Sequence, residues 1–392
     1  MKNKVINKIT IFLWIIFSLS SCQQKNGQAN NADASASEFS KTLVEVGLKS
    51  FELDSITPYY ASCLQFYKDA HGDQYLCLFN SYSNTFYFYG YGDGKIHHKL
   101  PLKKETMDRA GEVQSFVVKS LDSIYVLAKK NYALLLINGD GQVTDSRNLR
   151  VFSEGLTTRP LFISHDKLYA GGHDVPGVDP FAEFTDFATE NLVSIVDLKT
   201  PQTNAALSYP ESYKDGVWGP YLLQYYYTFN PLTEKFIISF AADHSIYETD
   251  FSAVPTSHIA ASKFFTDIPS WHATETDADS RLKYYLSTPS YQGVIFDPYQ
   301  NLYYRIALQA ISEEDLASND PQKSGVKHAS IIILDHNFTK IGETLLPRFS
   351  YTETMFFVTP NGLHVAKWEA SKDDDSKLVF GVFELKDVSH EK

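Results

Sequence analysis

Apolar residues in this chain fall in short runs separated by polar turns, and helical spacing is almost absent beyond the first twenty residues. The recurring pattern is a turn residue followed at once by a strand-like run: Asp73-Gln-Tyr-Leu, Asp122-Ser-Ile-Tyr, Asp166-Lys-Leu-Tyr, Glu234-Lys-Phe-Ile, Asn301-Leu-Tyr-Tyr and Asn361-Gly-Leu-His. Each is preceded by an apolar run, at 60–67, 113–119, 159–164, 223–229, 291–296 and 353–358. Each is followed by another, at 85–89, 133–137, 192–196, 245–247, 330–334 and 378–383. Most units then show a turn and a shorter fourth strand, as at Gly94-Lys-Ile-His-His-Lys-Leu. A long-period repeat of β units predicts a propeller or a solenoid.

The ends of the chain favour the propeller. Six units occupy about residues 57–386, and the sixth lacks its outermost strand. A spare strand, Val44 to Leu53, precedes the first unit. Placing the spare strand in the gap closes the ring and removes an open edge. The expected fold is therefore all-β, a six-bladed β-propeller closed by an N-terminal strand completing the last blade. An open solenoid, a pair of β-sandwiches, or a seventh blade hidden in residues 255–300 are the competing arrangements.

The N-terminus has a different pattern. Lys2, Lys4 and Lys8 precede an apolar run, Ile9 to Leu19, that is too short to span a bilayer, which takes roughly 20 residues. Its length and flanks suit a secretory signal peptide. Leu19-Ser20-Ser21-Cys22 then resembles the lipobox of bacterial lipoproteins. That resemblance implies acylation of Cys22, with several chains giving a lasting anchor where one chain holds marginally. Residues 23–39 are mostly Gln, Asn, Ala and Ser, a composition that does not build a core. The expected organisation is a signal peptide at 1–21, a flexible tether at 22–43 and a β-propeller domain at 44–392.

Composition sharpens the picture in two ways. Tyr and Phe number 25 and 27, against 4 Trp, and these are strand-favouring aromatics. The formal net charge is −12, with no basic patch, which argues against a nucleic-acid partner. The two remaining cysteines, Cys63 and Cys77, flank a turn near residue 70. A hairpin centred there sets them opposite each other, within disulfide reach in an oxidising compartment. Two buried free thiols are the equal alternative.

Candidate chemistry lies in the loops at one face of the ring, its mouth. Four loops are long: 171–191, 309–328, 210–222 and 263–283. Long ordered loops in a compact domain are often functional. Trp218, Trp271 and Trp368 all map there, as do Arg159, His173, Asp174, His272, Arg281 and Arg348. Aromatic platforms suit sugars and peptides, and Arg suits carboxylates and phosphates. The bland readings are tryptophans plugging their own loops and arginines pairing with nearby acids. No metal-ligand spacing, nucleophile elbow, P-loop or dinucleotide fingerprint is present, so no cofactor is expected.

The lipobox, the short tether and the repeated Asp-x-Ile/Leu-Tyr strands together resemble a six-bladed propeller lipoprotein of the Bacteroides group, in the family called domain of unknown function 4221. The resemblance implies an envelope lipoprotein, outer-membrane anchored, without an established activity. Gln-Gln-Lys-Asn after Cys22 lacks the acidic residues of surface-exported relatives, which leaves the periplasmic and surface sides open. The expected role is a non-enzymatic ligand- or protein-binding or sensor module acting through the mouth. The alternatives are a glycan- or peptide-cleaving hydrolase or lyase, and a scaffold subunit of an outer-membrane assembly.

Overall fold

Among the described residues, twenty-four strands run almost entirely as successive antiparallel neighbours. The computed structural model describes residues 39–149, 157–172, 191–214, 216–271 and 277–388. Four strands, β2 (Leu64–Lys68), β3 (Gln74–Asn80), β4 (Thr85–Gly90) and β5 (Ile96–Pro101), form the first sheet. The second holds β6 (Val113–Ser120), β7 (Ser123–Ala128), β8 (Ala133–Ile137) and β9 (Val143–Asn148). The third holds β10 (Phe162–Ser164), β11 (Lys167–Gly171), β12 (Val193–Asp197) and β13 (Thr203–Ala206). The fourth holds β14 (Tyr225–Asn230), β15 (Lys235–Phe240), β16 (Ser245–Thr249) and β17 (Thr256–Ile259).

The last eight strands are continuous. They are β1 (Lys41–Glu52), β18 (Ser290–Asp297), β19 (Leu302–Leu308), β20 (Ala329–Leu334), β21 (Lys340–Leu345), β22 (Tyr351–Thr359), β23 (Gly362–Lys367) and β24 (Lys377–Asp387). Their order is β18-β19-β20-β21-β1-β24-β23-β22. The arrangement is propeller-like, but the expected six separate blades are not what is observed: four sheets stand alone, and the rest is one eight-stranded sheet. The cause is local. Lys41 at the start of β1 pairs in parallel with Gly342 of β21, which carries the ladder across. A Cβ on Gly342 would lie 2.2 Å from the Lys41 carbonyl oxygen, so a side chain there makes the backbone at the junction shift.

β1 pairs antiparallel with β24 from Lys41↔Asp387 to Glu52↔Lys377, so the first strand of the body lies against the last. The strand begins at Lys41, inside the segment read as tether.

Turns recur by one mechanism. Asp69, Asn138, Asp197 and Asp335 each accept backbone N–H groups two to four residues ahead on a side-chain oxygen. Such residues imitate a backbone turn with their own side chain. Three of the turn residues singled out in the sequence, Asp166, Glu234 and Asn301, have positive φ of 60°, 58° and 52°.

The core lies between sheets. Phe86, Phe88 and Phe116 join the first two, and Phe51, Tyr87, Phe357 and Phe380 join the first to the last. Each sheet is thereby covered on both faces, so β4 is buried at every position. Arg305, fully buried, donates to the carbonyls of Phe240, Asp243, His244 and Ala260 and to Ser239 Oγ, with its guanidinium 3.5 Å from the Tyr291 ring centre. Burial pulls its pKa down to about 10, which leaves it charged. Five donors meeting five acceptors satisfy the cation without an acid.

Candidate functional site

One cavity lies on the axis and another at the mouth. The axial one, about 590 Å³, is lined by strands β2, β6, β10, β14, β18 and β22. Each contributes a phenylalanine: Phe66, Phe116, Phe162, Phe229, Phe296 and Phe357. Among the described residues, no carboxylate lines it. Its lining is mainly apolar, with Gln65, Lys68, Lys119 and Thr228 among it.

The second cavity, about 390 Å³, lies at the mouth. It is placed there by strand ends: Tyr285 precedes β18, Lys327 precedes β20, Glu353 is near the start of β22 and Trp368 follows β23. Glu353 sits in a bulge. Thr352 pairs with Ala366 and Phe356 with Val365, which leaves residues 353–355 without partners on β23. Bulges re-aim side chains, often beside functional sites. Here the bulge turns a carboxylate into the cavity wall.

Glu353 lies deep among protein atoms but keeps a half-buried surface, because the part it exposes faces the cavity. Burial raises its pKa, against the opposing pull of its own amide and of Lys327. Lys327 donates to the Tyr285 and Thr288 carbonyls at 3.0 and 2.5 Å and to Ser290 Oγ at 2.8 Å. It thereby ties down the end of the helix Ala278–Ser287, as cations at helix C-termini do. Burial lowers its pKa to about 7, partly offset by Glu353. The two residues are not within ion-pair range. Displaced pKa values in a cleft mark a candidate site.

The expected site residues distribute unevenly. Trp218 is buried, donating its indole N–H to the Tyr213 carbonyl at 3.0 Å. Trp271 is buried and stacks on Tyr284 at 5.5 Å. These two plug their loops, which meet through the Trp271 N–H to Val217 carbonyl bond. Trp368 is different: 37% exposed, edge-on to Tyr59 and lining the mouth cavity. Arg159 is buried beside the Tyr225 ring and bonds Gln224. Arg348 pairs with Asp315 at 2.7 Å, and Arg281 lies on the Ala278–Ser287 helix. None of these three arginines lines the mouth cavity. His173, Asp174, His272 and Cys22 lie outside the described residues.

Cys63 and Cys77 are both buried and free. The hairpin centres on residue 71, because Asp69 bonds across to Asp73, so Cys77 faces Gln65 and not Cys63. Among the described residues, no group of three or more His, Cys, Asp or Glu could hold a metal ion, and no helix is long and apolar enough to cross a membrane.

Fold and site define the class, an all-β propeller-like protein with a cavity on its axis and, at its mouth, a cavity lined by aromatic rings, Glu353 and Lys327. The chain belongs to the family described as Domain of unknown function (DUF4221), whose profile matches residues 40–345. A crystal structure of a DUF4221 member from Bacteroides vulgatus is similar, with 20% identity, TM-score 0.74, 90% of this chain covered and 100% of that one. A Bacteroides fragilis protein described as a "Putative exported protein" is similar at 13% identity and TM-score 0.53, covering 88% of this chain and 97% of that one. At these identities the likeness concerns the fold. No curated protein matches the chain.

Proposed function

We propose that this protein is an envelope-anchored binding module that holds a small ligand in its mouth cavity and catalyses nothing. The observation that carries this reading is a mouth cavity walled by Tyr285, Trp368 and Glu353, with the carboxylate held at its wall by a bulge. The hydrolase reading loses support because Glu353 is the single carboxylate among the cavity's lining residues. Glycoside cleavage as usually performed takes a carboxylate pair. Screening the full chain in detergent against small polar molecules, with Trp368 fluorescence as readout, tests the reading. A panel that leaves Trp368 unperturbed would count against it.

Anchoring rests on the Leu19-Ser20-Ser21-Cys22 pattern, with the exported description of the Bacteroides fragilis protein as support. Cells fed radioactive fatty acid should label the wild type and not Cys22→Ala. Unlabelled wild type would sink the anchor.

The eight-stranded sheet acts, in this reading, as two blades bridged at Lys41–Gly342, giving a six-bladed ring with β1 completing the last blade. Support comes from six strands, one per repeat, sharing the axial cavity. Deletion of residues 41–52 should abolish folding, and a peptide of that sequence supplied in trans should restore it. A deletion variant that folds unaided would overturn the closure.

A further inference from the structure

We infer that the mouth cavity takes a small organic cation, an alkylammonium group, with Glu353 as its counter-charge and Trp368 as its platform. The inference rests on the proposed binding role of this cavity and names the ligand's chemistry.

Three observations converge. The first is a carboxylate without an ion-pair partner. Glu353 has no cation within ion-pair range among the described residues, and no side chain donates a hydrogen bond to it there. A deep carboxylate held without a partner is unfavourable, and a cationic guest supplies the missing charge. The bulge at 353–355 is what holds the carboxylate at the cavity wall.

The second is the wall chemistry. Ring faces carry negative potential and attract cations. Three lining rings already meet protein cations: Lys327 lies 4.3 Å from the centre of Tyr285, Arg348 4.7 Å from Phe349 and Lys367 5.4 Å from Tyr351. Trp368 has no such cation among the described residues, and it is the exposed ring. Trp368 and the unpaired carboxylate line the same cavity.

The third is that the neighbouring cation gives its hydrogen bonds elsewhere, so that only its longer-range field reaches Glu353. Each of Lys327's three donors has an acceptor on the protein: Tyr285 O, Thr288 O and Ser290 Oγ. It serves the helix end and leaves Glu353 to the ligand. The overall charge of −12 favours cation approach. A carboxylate or phosphate ligand would meet Glu353 with the wrong sign, and Lys327, the cation among the cavity's described lining residues, has its donors engaged on the protein.

Calorimetry on the full chain in detergent tests the inference with choline, its neutral isostere 3,3-dimethyl-1-butanol, and glucose. Choline should bind and the isostere should bind at least about tenfold more weakly, since cation–π and ion-pair contributions vanish together. Glu353→Gln should remove most choline binding, and Trp368→Ala should weaken it by roughly three- to tenfold. Glu353→Asp, which keeps the charge, should retain part of the affinity and covers the case of a Gln variant that does not fold. Equal binding of the isostere, or glucose binding untouched by Glu353→Gln, overturns the cation inference and leaves the cavity reading standing. Silence from all three probes, with Trp368 fluorescence unchanged, overturns both.

Discussion

The axial cavity and the mouth cavity are built from the same kinds of residue and do opposite things. Phenylalanines from six strands turn inward at the axis and meet one another's neighbours. Phe357 there stacks on Phe66 at 5.6 Å and on His364 at 4.6 Å. At the mouth, aromatic rings surround a carboxylate and a lysine, and Trp368 keeps an open face. The difference is one of satisfied against unsatisfied groups. His364 at the axis side bonds the Gly362 carbonyl and the Tyr91 hydroxyl. Glu353 at the mouth faces space. A stability element completes its own contacts, while a binding element leaves one for a guest.

The largest expected effect is at the axis. Phe357→Ala should lower unfolding free energy by about 3–5 kcal/mol, the range for a buried aromatic, while leaving mouth-cavity binding unchanged. Urea unfolding and ligand titration of the same variant measure both. Equal damage to binding would erase the distinction between the two regions.

Acid should act on the two regions with opposite sign. Burial holds His364 neutral and lowers its pKa from 6.5 to about 4. Between those values the unfolded chain takes up a proton that the folded chain refuses, so stability is complete above pH 6.5 and falls as pH drops towards 4. The loss is roughly 3 kcal/mol over that window. Glu353 has a raised pKa, so its deep charge weighs on the fold at neutral pH and the weight lifts on acidification. Denaturation midpoints from pH 7 to 4 should fall less steeply in His364→Gln than in wild type. Parallel curves would refute the histidine's part.

Gly342→Ala should destabilise by about 1–3 kcal/mol, because its Cβ meets backbone that must move. The strain falls on the junction of the eight-stranded sheet that carries the mouth cavity, so this variant alone should disturb both stability and binding. The smallest effect is Glu353→Gln: stability unchanged or slightly higher at pH 7, by up to about 1 kcal/mol, with ligand binding lost. A clear drop in thermal midpoint would recast Glu353 as a structural group.

The strands were legible because alternation and turn chemistry are local. All six first strands and the spare N-terminal strand appear within a few residues of their expected bounds. The thiol register was not legible, since it turns on whether the hairpin pivots at 70 or 71, and the Asp69 side chain decides that. Arg159 and two of three tryptophans looked like mouth residues by position, but each is consumed by packing. Glu353 and Lys327 carried no signal beyond a charged residue at a strand's start.

Chain order and side-chain pattern thus determined the all-β class, the repeats and the spare strand, because each depends on neighbours a few residues apart. Tertiary structure alone decided that β1 bridges two strand groups into one sheet, that six phenylalanines share an axis, and that Glu353 lies unpaired beside Trp368. Those outcomes depend on which distant edges meet and on what burial leaves without a partner. Neither quantity is written in any local stretch of the chain.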